Sequence, residues 1–135
     1  MAESLAEYIS LPQFNEPRGT LTFIESGRHV PFDFTRIYYI YDIPSGAVRA
    51  RHAHKELHQL LIAISGSFDV RLHDGFREET VTLNRPHVGL HLKPHVWHDL
   101  LNFSSGSICL ALASAPYEES DYIRHFDEFM AYVRQ

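Results

Sequence analysis

The chain has 135 residues, 44% of them hydrophobic and 13% aromatic, which makes it one globular domain rather than a disordered or staple-dependent one. A formal net charge of −5 excludes the clustered basic face of a nucleic-acid binder. No apolar run approaches about 18 residues, which excludes a membrane-spanning helix.

The acidic start, Met1-Ala-Glu-Ser-Leu-Ala-Glu7, lacks the apolar core of a signal peptide. A short polar lead follows, and then β-like runs at 21–25, 34–42, 48–54, 57–64, 67–73, 77–83, 88–92, 96–103 and 107–113. Turn residues separate them: Pro44-Ser45-Gly46, Ser65-Gly66, His73-Asp74-Gly75, Asn84-Arg85-Pro86 and Ser104-Ser105-Gly106. Asp74-Gly75 is a hairpin signal of the type I′ kind, which needs positive φ at both central residues. Cys109 lies in the apolar run Ile108-Cys-Leu-Ala-Leu112 and reads as a small core residue. With one cysteine no intrachain disulfide is possible, which fits a reducing, cytoplasmic setting. After about residue 120 the period changes. Tyr122, Ile123, Phe126, Phe129, Met130 and Val133 fall on one helical stripe, with Ser120 as the expected N-cap. Many short strands with regular turns and one terminal helix predict an all-β sandwich or barrel, a single domain spanning 1–135, with the helix packed on it.

The compositional oddity is ten histidines. His52 and His54, one residue apart on an extended run, project to one side of it. His98, on a later run, can meet them across a barrel. Imidazole at such a place either ligates a metal or moves protons near neutral pH. The other histidines (29, 73, 87, 91, 95 and 125) read as surface or structural, and Lys55 and Lys93 as solvated.

The spacing Gly46-x5-His52-x-His54-x4-Gln59-x6-Gly66, followed by Pro94-x3-His98-x3-Asn102, resembles the two motifs of the cupin barrels. Two departures matter. The second motif is one residue short, and Gln59 stands where a metal-binding cupin carries Glu. Three imidazoles and an amide lack the anionic ligand that helps fix a divalent ion. His58 is the neighbouring substitute, but on a regular strand it faces away from Gln59.

Most of the chain resembles a narrower family, the nucleotide-sugar 3,4-ketoisomerases, small cupins acting on dTDP-4-keto-6-deoxy-D-glucose. The matching stretches are Arg18-Gly19-Thr-Leu, Pro31-Phe32, Arg36-Ile-Tyr38-Tyr39-Ile-Tyr-Asp42, Arg49-x-x-His52-Ala-His54-Lys55, Pro94-x-x-Trp97-His98 and Asp121-Tyr122-Ile123-Arg124. The resemblance implies a cupin (double-stranded β-helix) barrel, a homodimer, and catalysis without a metal or cofactor by His52 and His54. It makes His54 the base at C3, with Tyr38 and His98 as further proton-handling candidates. Arg18, Arg36 and Arg49 become candidates for phosphate or sugar contacts, since a guanidinium fork fits phosphate oxygens. Trp97 is a candidate substrate contact, although for it, Tyr39 and Tyr41 a core or dimer role weighs more. Arg49 has the opposite strand parity to His52 and reaches the pocket only across a bend or bulge.

The chemistry agrees with the resemblance. A ketone at C4 acidifies the C3 hydrogen, so a base of near-neutral pKa forms an enediolate, and protonation at C4 leaves the carbonyl at C3. The family divides by the face protonated at C4. Its galacto branch resembles this chain in carrying Arg at 18 and His at 98, which implies dTDP-3-keto-6-deoxy-D-galactose, a precursor in deoxysugar and O-antigen polysaccharide biosynthesis. Four alternatives remain open: a gluco-producing 3,4-ketoisomerase, a metallocupin oxygenase using His52, His54, His98 and Gln59, a non-catalytic sugar-binding cupin, and a 3,5-epimerase, whose family lacks the His-Ala-His arrangement.

Overall fold

Leu60, Leu61, Ile62 and Ala63 are four consecutive buried residues, and successive side chains on a strand point to opposite faces. The sheet that carries them must therefore be covered on both sides. The computed structural model, which describes residues 4–135, shows how. Its strands are β1 (Glu7–Ser10), β2 (Gln13–Glu16), β3 (Gly19–Thr22), β4 (Arg36–Ile40), β5 (Arg49–His54), β6 (Gln59–Ser65), β7 (Phe68–His73), β8 (Glu78–Leu83), β9 (Val88–Leu92), β10 (Trp97–Leu101), β11 (Ile108–Ala113) and β12 (Tyr122–Ile123), followed by the helix α1 (Phe126–Val133). One five-stranded sheet runs β1-β9-β6-β11-β4 and a second runs β12-β5-β10-β7-β8. Every strand pairing among the described residues is antiparallel. This is the cupin barrel expected from the motifs. Residues 1–3 of the acidic N-terminus lie outside the described residues.

Between the two sheets sits the barrel core. Leu61, Ala63, Leu90, Leu92, Cys109 and Ala111 come from the first sheet and Phe68, Val70, Leu72, Leu83 and Leu100 from the second. Cys109 is the small core residue its context predicts, and burial pushes its thiol up to about 12. The outward side chains Leu60, Ile62 and Leu112 pack under Leu11, Val30, Ile24, Phe32 and Phe34 of the N-terminal region. On the second sheet, Ala53 and Trp97 pack under Ile123 and Phe129.

Three expectations need correction. The helix begins at Phe126, with His125 in the N-cap position, and Ser120 caps nothing in it. Ser120 lies in a 3₁₀ turn, Glu119–Asp121, and Tyr122 and Ile123 are strand residues paired with His54 and Ala53. Their apolar side chains fit the helical stripe, but the exposed edge of β5 takes their backbone groups instead. The polar lead contains two strands the sequence does not advertise, β1 and β2, and the run expected at 21–25 is β3, shifted toward the N-terminus and paired with β2. The β7–β8 hairpin forms, but not through a type I′ turn. Gly75 has φ +101° while Asp74 is not among the positive-φ residues, and the Asp74 side chain instead accepts from the backbone N–H of Phe76 (2.9 Å) and Arg77 (2.9 Å).

Candidate active site

The histidines meet because β5 and β10 are hydrogen-bonded neighbours with His52 opposite His98. One ring nitrogen of each of His52, His54 and His98 lies within 4.8 Å of the others. The ring of His52 is 4.9 Å from that of His54 and 4.8 Å from that of His98. All three Nδ1 atoms are engaged on the protein side. His52 Nδ1 faces the Ala50 carbonyl at 3.0 Å, His98 Nδ1 the Val96 carbonyl at 3.4 Å, and His54 Nδ1 an Asp121 carboxylate oxygen at 3.0 Å. Carbonyl and carboxylate oxygens only accept, so each ring donates from Nδ1 and keeps a lone pair on Nε2.

Burial also keeps these rings neutral. Desolvation, and then the neighbouring His54, lower His52 to about 4. His98 is pushed well below its ordinary value by burial and by the charges its two neighbours would carry. His54 is lowered by burial as well, with Asp121 pulling the other way. At neutral pH the site therefore presents three unprotonated imidazoles, each able to receive a proton.

Tyr38, on β4, is the next polar group of the barrel interior, and its hydroxyl donates to Gln59 Oε1. Burial raises the phenol above its ordinary value, so it stays protonated. Gln59 is 1% exposed, and its carbonyl oxygen is committed to this bond. Three imidazoles can still hold a divalent ion, but the usual cupin site adds a carboxylate at the position of Gln59, and a neutral amide oxygen bonded to Tyr38 does not supply that charge. The donor set does not fit the usual cupin metal. His58 does not make up the loss. It hydrogen-bonds His91 (3.0 Å) beside Phe32, which belongs to the layer outside the first sheet.

Arg36 stands beside Tyr38, its guanidinium 5.5 Å from that ring, and its buried Nε–H has no partner among the described residues. It lines a cavity of 350 Å³ together with Glu56, Leu57, Ser114, Asp121 and Tyr122. Asp121 and Tyr122 both touch His54, so this cavity adjoins the imidazole cluster. A larger cleft of 540 Å³, near Tyr39, Tyr41 and Ser105, contains no histidine.

The remaining sequence candidates divide. A bulge between Ala50 and His52 sets two residues in the left-handed region, Ala50 (φ 67°) and Arg51 (φ 60°). It resets the strand alternation, which is the condition Arg49 required. Arg49 is exposed and stands opposite Leu100 in the ladder. Arg18 is on the turn between β2 and β3, highly exposed and paired with Glu16 (3.2 Å), and among the described residues no contact joins it to the histidines. Trp97 takes the core role that the sequence also allowed for it. It is 7% exposed and packs on Phe126 (5.3 Å) and Phe129 (5.7 Å), on the face of β10 opposite His98. Tyr39 and Tyr41, at 60% and 58% exposed, are not core residues. The residue that sequence reasoning missed is Asp121. It lies in a quoted stretch, but nothing local signals that a carboxylate there meets His54.

Comparison with known proteins settles the family. The model of the family described as FdtA, WxcM-like, C-terminal, matches residues 5–134. The chain belongs to this family. A TDP-4-oxo-6-deoxy-alpha-D-glucose-3,4-oxoisomerase of Aneurinibacillus thermoaerophilus is 42% identical over 125 residues, covering 93% of this chain and 90% of that protein. A histidine-to-asparagine variant of the 3,4-ketoisomerase QdtA from Thermoanaerobacterium thermosaccharolyticum, solved with TDP-4-keto-6-deoxyglucose, superposes with a TM-score of 0.95 at 36% identity, covering 98% of this chain and 96% of that one. The WlaRB TDP-quinovose 3,4-ketoisomerase of Campylobacter jejuni has a TM-score of 0.89 at 41% identity, covering 93% and 97%. No helix among the described residues is long and apolar enough to cross a membrane.

Proposed function

We propose that this FdtA-family chain moves the carbonyl of dTDP-4-keto-6-deoxy-D-glucose from C4 to C3. The observation that carries the reading is the convergence of three neutral imidazoles, His54 and His98 buried and His52 half-buried, each with Nδ1 occupied and Nε2 free. His54 removes the C3 proton, and the C–H electron pair becomes the C3=C4 bond of an enediolate with negative charge on O4. His52 carries a proton between O3 and O4. Delivery of a proton to C4 then re-forms a carbonyl, now at C3. Arg36, with an unpartnered N–H at the adjoining cavity, binds the anionic part of the substrate or its developing oxyanion. Tyr38 completes the relay as a protonated phenol held by Gln59. In this reading no metal takes part, since the proton transfers need only imidazoles and Gln59 offers no carboxylate to an ion.

For the product we favour dTDP-3-keto-6-deoxy-D-galactose. Overall likeness does not select it, since a TDP-quinovose isomerase is 41% identical. The two positions where this chain resembles the galacto branch support it, Arg18 and above all His98, which sits against His52 and can hold and release a proton as an arginine there could not. The protein works as a cytoplasmic homodimer in this reading. The β2–β3 hairpin is a two-stranded sheet of its own, with Phe14 at 60% and Leu21 at 57% exposed, and isolated hairpins are marginal in water. A second copy supplies the missing cover.

Incubation with dTDP-4-keto-6-deoxyglucose followed by ¹³C NMR tests the activity. A carbonyl assigned to C3 supports it, and an untouched C4 ketone overturns it. In H₂O, small H4 couplings to the neighbouring ring proton mark an axial hydroxyl and the galacto product. A large H4–H5 coupling would overturn that assignment and leave the isomerase standing.

A further inference from the structure

We propose that Asp121 is a positioning residue that holds His54 as its Nδ1–H tautomer and keeps Nε2 aimed as a lone pair at the substrate. The inference rests on the isomerase reading above and assigns a task to the stretch Asp121-Tyr122-Ile123-Arg124. Asp121 is fixed from several directions. Its Oδ1 accepts from the backbone N–H of Glu56 (2.8 Å), its Oδ2 from that of Leu57 (3.3 Å) and from His54 Nδ1 (3.0 Å), and its own carbonyl from Lys55 N–H (2.9 Å). The carboxylate is locked to the turn that follows His54, so it cannot swing away from the ring without breaking that turn. Tyr122 packs its ring on His54 (4.4 Å) and His52 (5.0 Å), under the Arg124 guanidinium at 4.2 Å. Ile123 anchors the segment in the apolar layer with Trp97 and Phe129.

The three histidines differ in what stands behind them. His52 and His98 lean on neutral backbone carbonyls and only His54 on an anion. An imidazolium formed at His54 while it holds the sugar proton is stabilised by a carboxylate hydrogen-bonded to its ring, whereas at His52 only the charge of Glu119, with no hydrogen bond to the ring, acts in that direction. Burial lowers both His52 and His54, and Asp121 opposes it only at His54. This asymmetry separates the carbon base from its partners.

The test is Asp121→Asn. An amide oxygen at this site can keep accepting the Glu56 N–H, while the amide nitrogen turns a donor toward His54 Nδ1 and drives the ring to the Nε2–H tautomer. In serine proteases the same exchange behind a histidine lowers kcat by about 10⁴ through the wrong tautomer. We expect kcat to fall by about 10²-fold or more with KM nearly unchanged. We also expect ¹⁵N–¹H long-range correlation spectra of the free protein to show His54 switching from Nδ1–H to Nε2–H, and Asp121→Glu to restore the Nδ1–H signature. A wild-type His54 found as the Nε2–H tautomer overturns the proposal, as does a folded Asp121→Asn protein with near wild-type kcat. Wild-type protein without turnover overturns the isomerase reading alone, and the tautomer spectrum still decides where the proton sits.

Discussion

A cluster of imidazoles buried neutral should make the protein acid-labile in a pH range where carboxylates are still ionised. His52 titrates near 6.5 in the unfolded chain and at about 4 when folded. Between those values the unfolded chain binds more protons than the folded one, so stability is complete above about pH 6.5 and falls as the pH drops toward 4. At about 1.4 kcal/mol per pH unit the whole difference for His52 is about 3 kcal/mol, of which about 2 kcal/mol is lost by pH 5. His54 and His98 are lowered too and act in the same direction. The carboxylates of Glu7, Glu79 and Asp74 are lowered from values already at or below 4.5, so their contributions disappear only at lower pH. Urea unfolding at pH 7.5, 6.5, 5.5 and 5, at fixed protein concentration, should show the loss, and His52→Gln should shrink the slope between pH 6.5 and 5. A wild-type stability that is flat or rises on acidification over that range would refute the burial argument. A His52→Gln protein with an unchanged slope would remove His52 from it.

His54→Asn should lower kcat by about 10²–10⁴-fold with nucleotide binding retained, because an amide can keep the hydrogen bond to Asp121 but offers no base at the Nε2 position. A near wild-type rate in steady-state assays would make His52 the carbon base instead. Activity should survive prolonged chelation, and elemental analysis should find no stoichiometric transition metal; inactivation reversed by one added metal would favour the oxygenase-type site. Light scattering at micromolar concentration should give twice the 15.6 kDa chain mass, and a value near one chain would rule the dimer out.

Much of this molecule was legible in its residues because sheets impose a period of two. The His-x-His pair reports which side chains share a face, and the structure brings His52 and His54 together. The signal fails where local pattern and tertiary pairing diverge. Tyr122 and Ile123 are as apolar as helix residues and are claimed by the β5 edge. Arg49 depended on a bulge that two non-glycine residues form, Ala50 and Arg51, with nothing in their chemistry to announce positive φ. Trp97 was ambiguous until β10 fixed which face it takes. Asp121 meets His54 across 67 positions of sequence, and such a contact exists only once the tail has docked.

The central claim is that an imidazole-borne proton transfer moves the carbonyl from C4 to C3, and turnover of dTDP-4-keto-6-deoxyglucose in D₂O tests it most directly. The account predicts a product whose carbonyl is at C3 and which carries deuterium at C4, delivered from a histidine that exchanges with solvent. A 3-keto product that retains the substrate's own C3 hydrogen at C4, with no solvent label, would contradict it, since that outcome requires a hydride shift or a proton handed on before it exchanges. Deuterium found only at C3 or C5 of a sugar that is still a 4-ketone would contradict it as well, and would point to an epimerase.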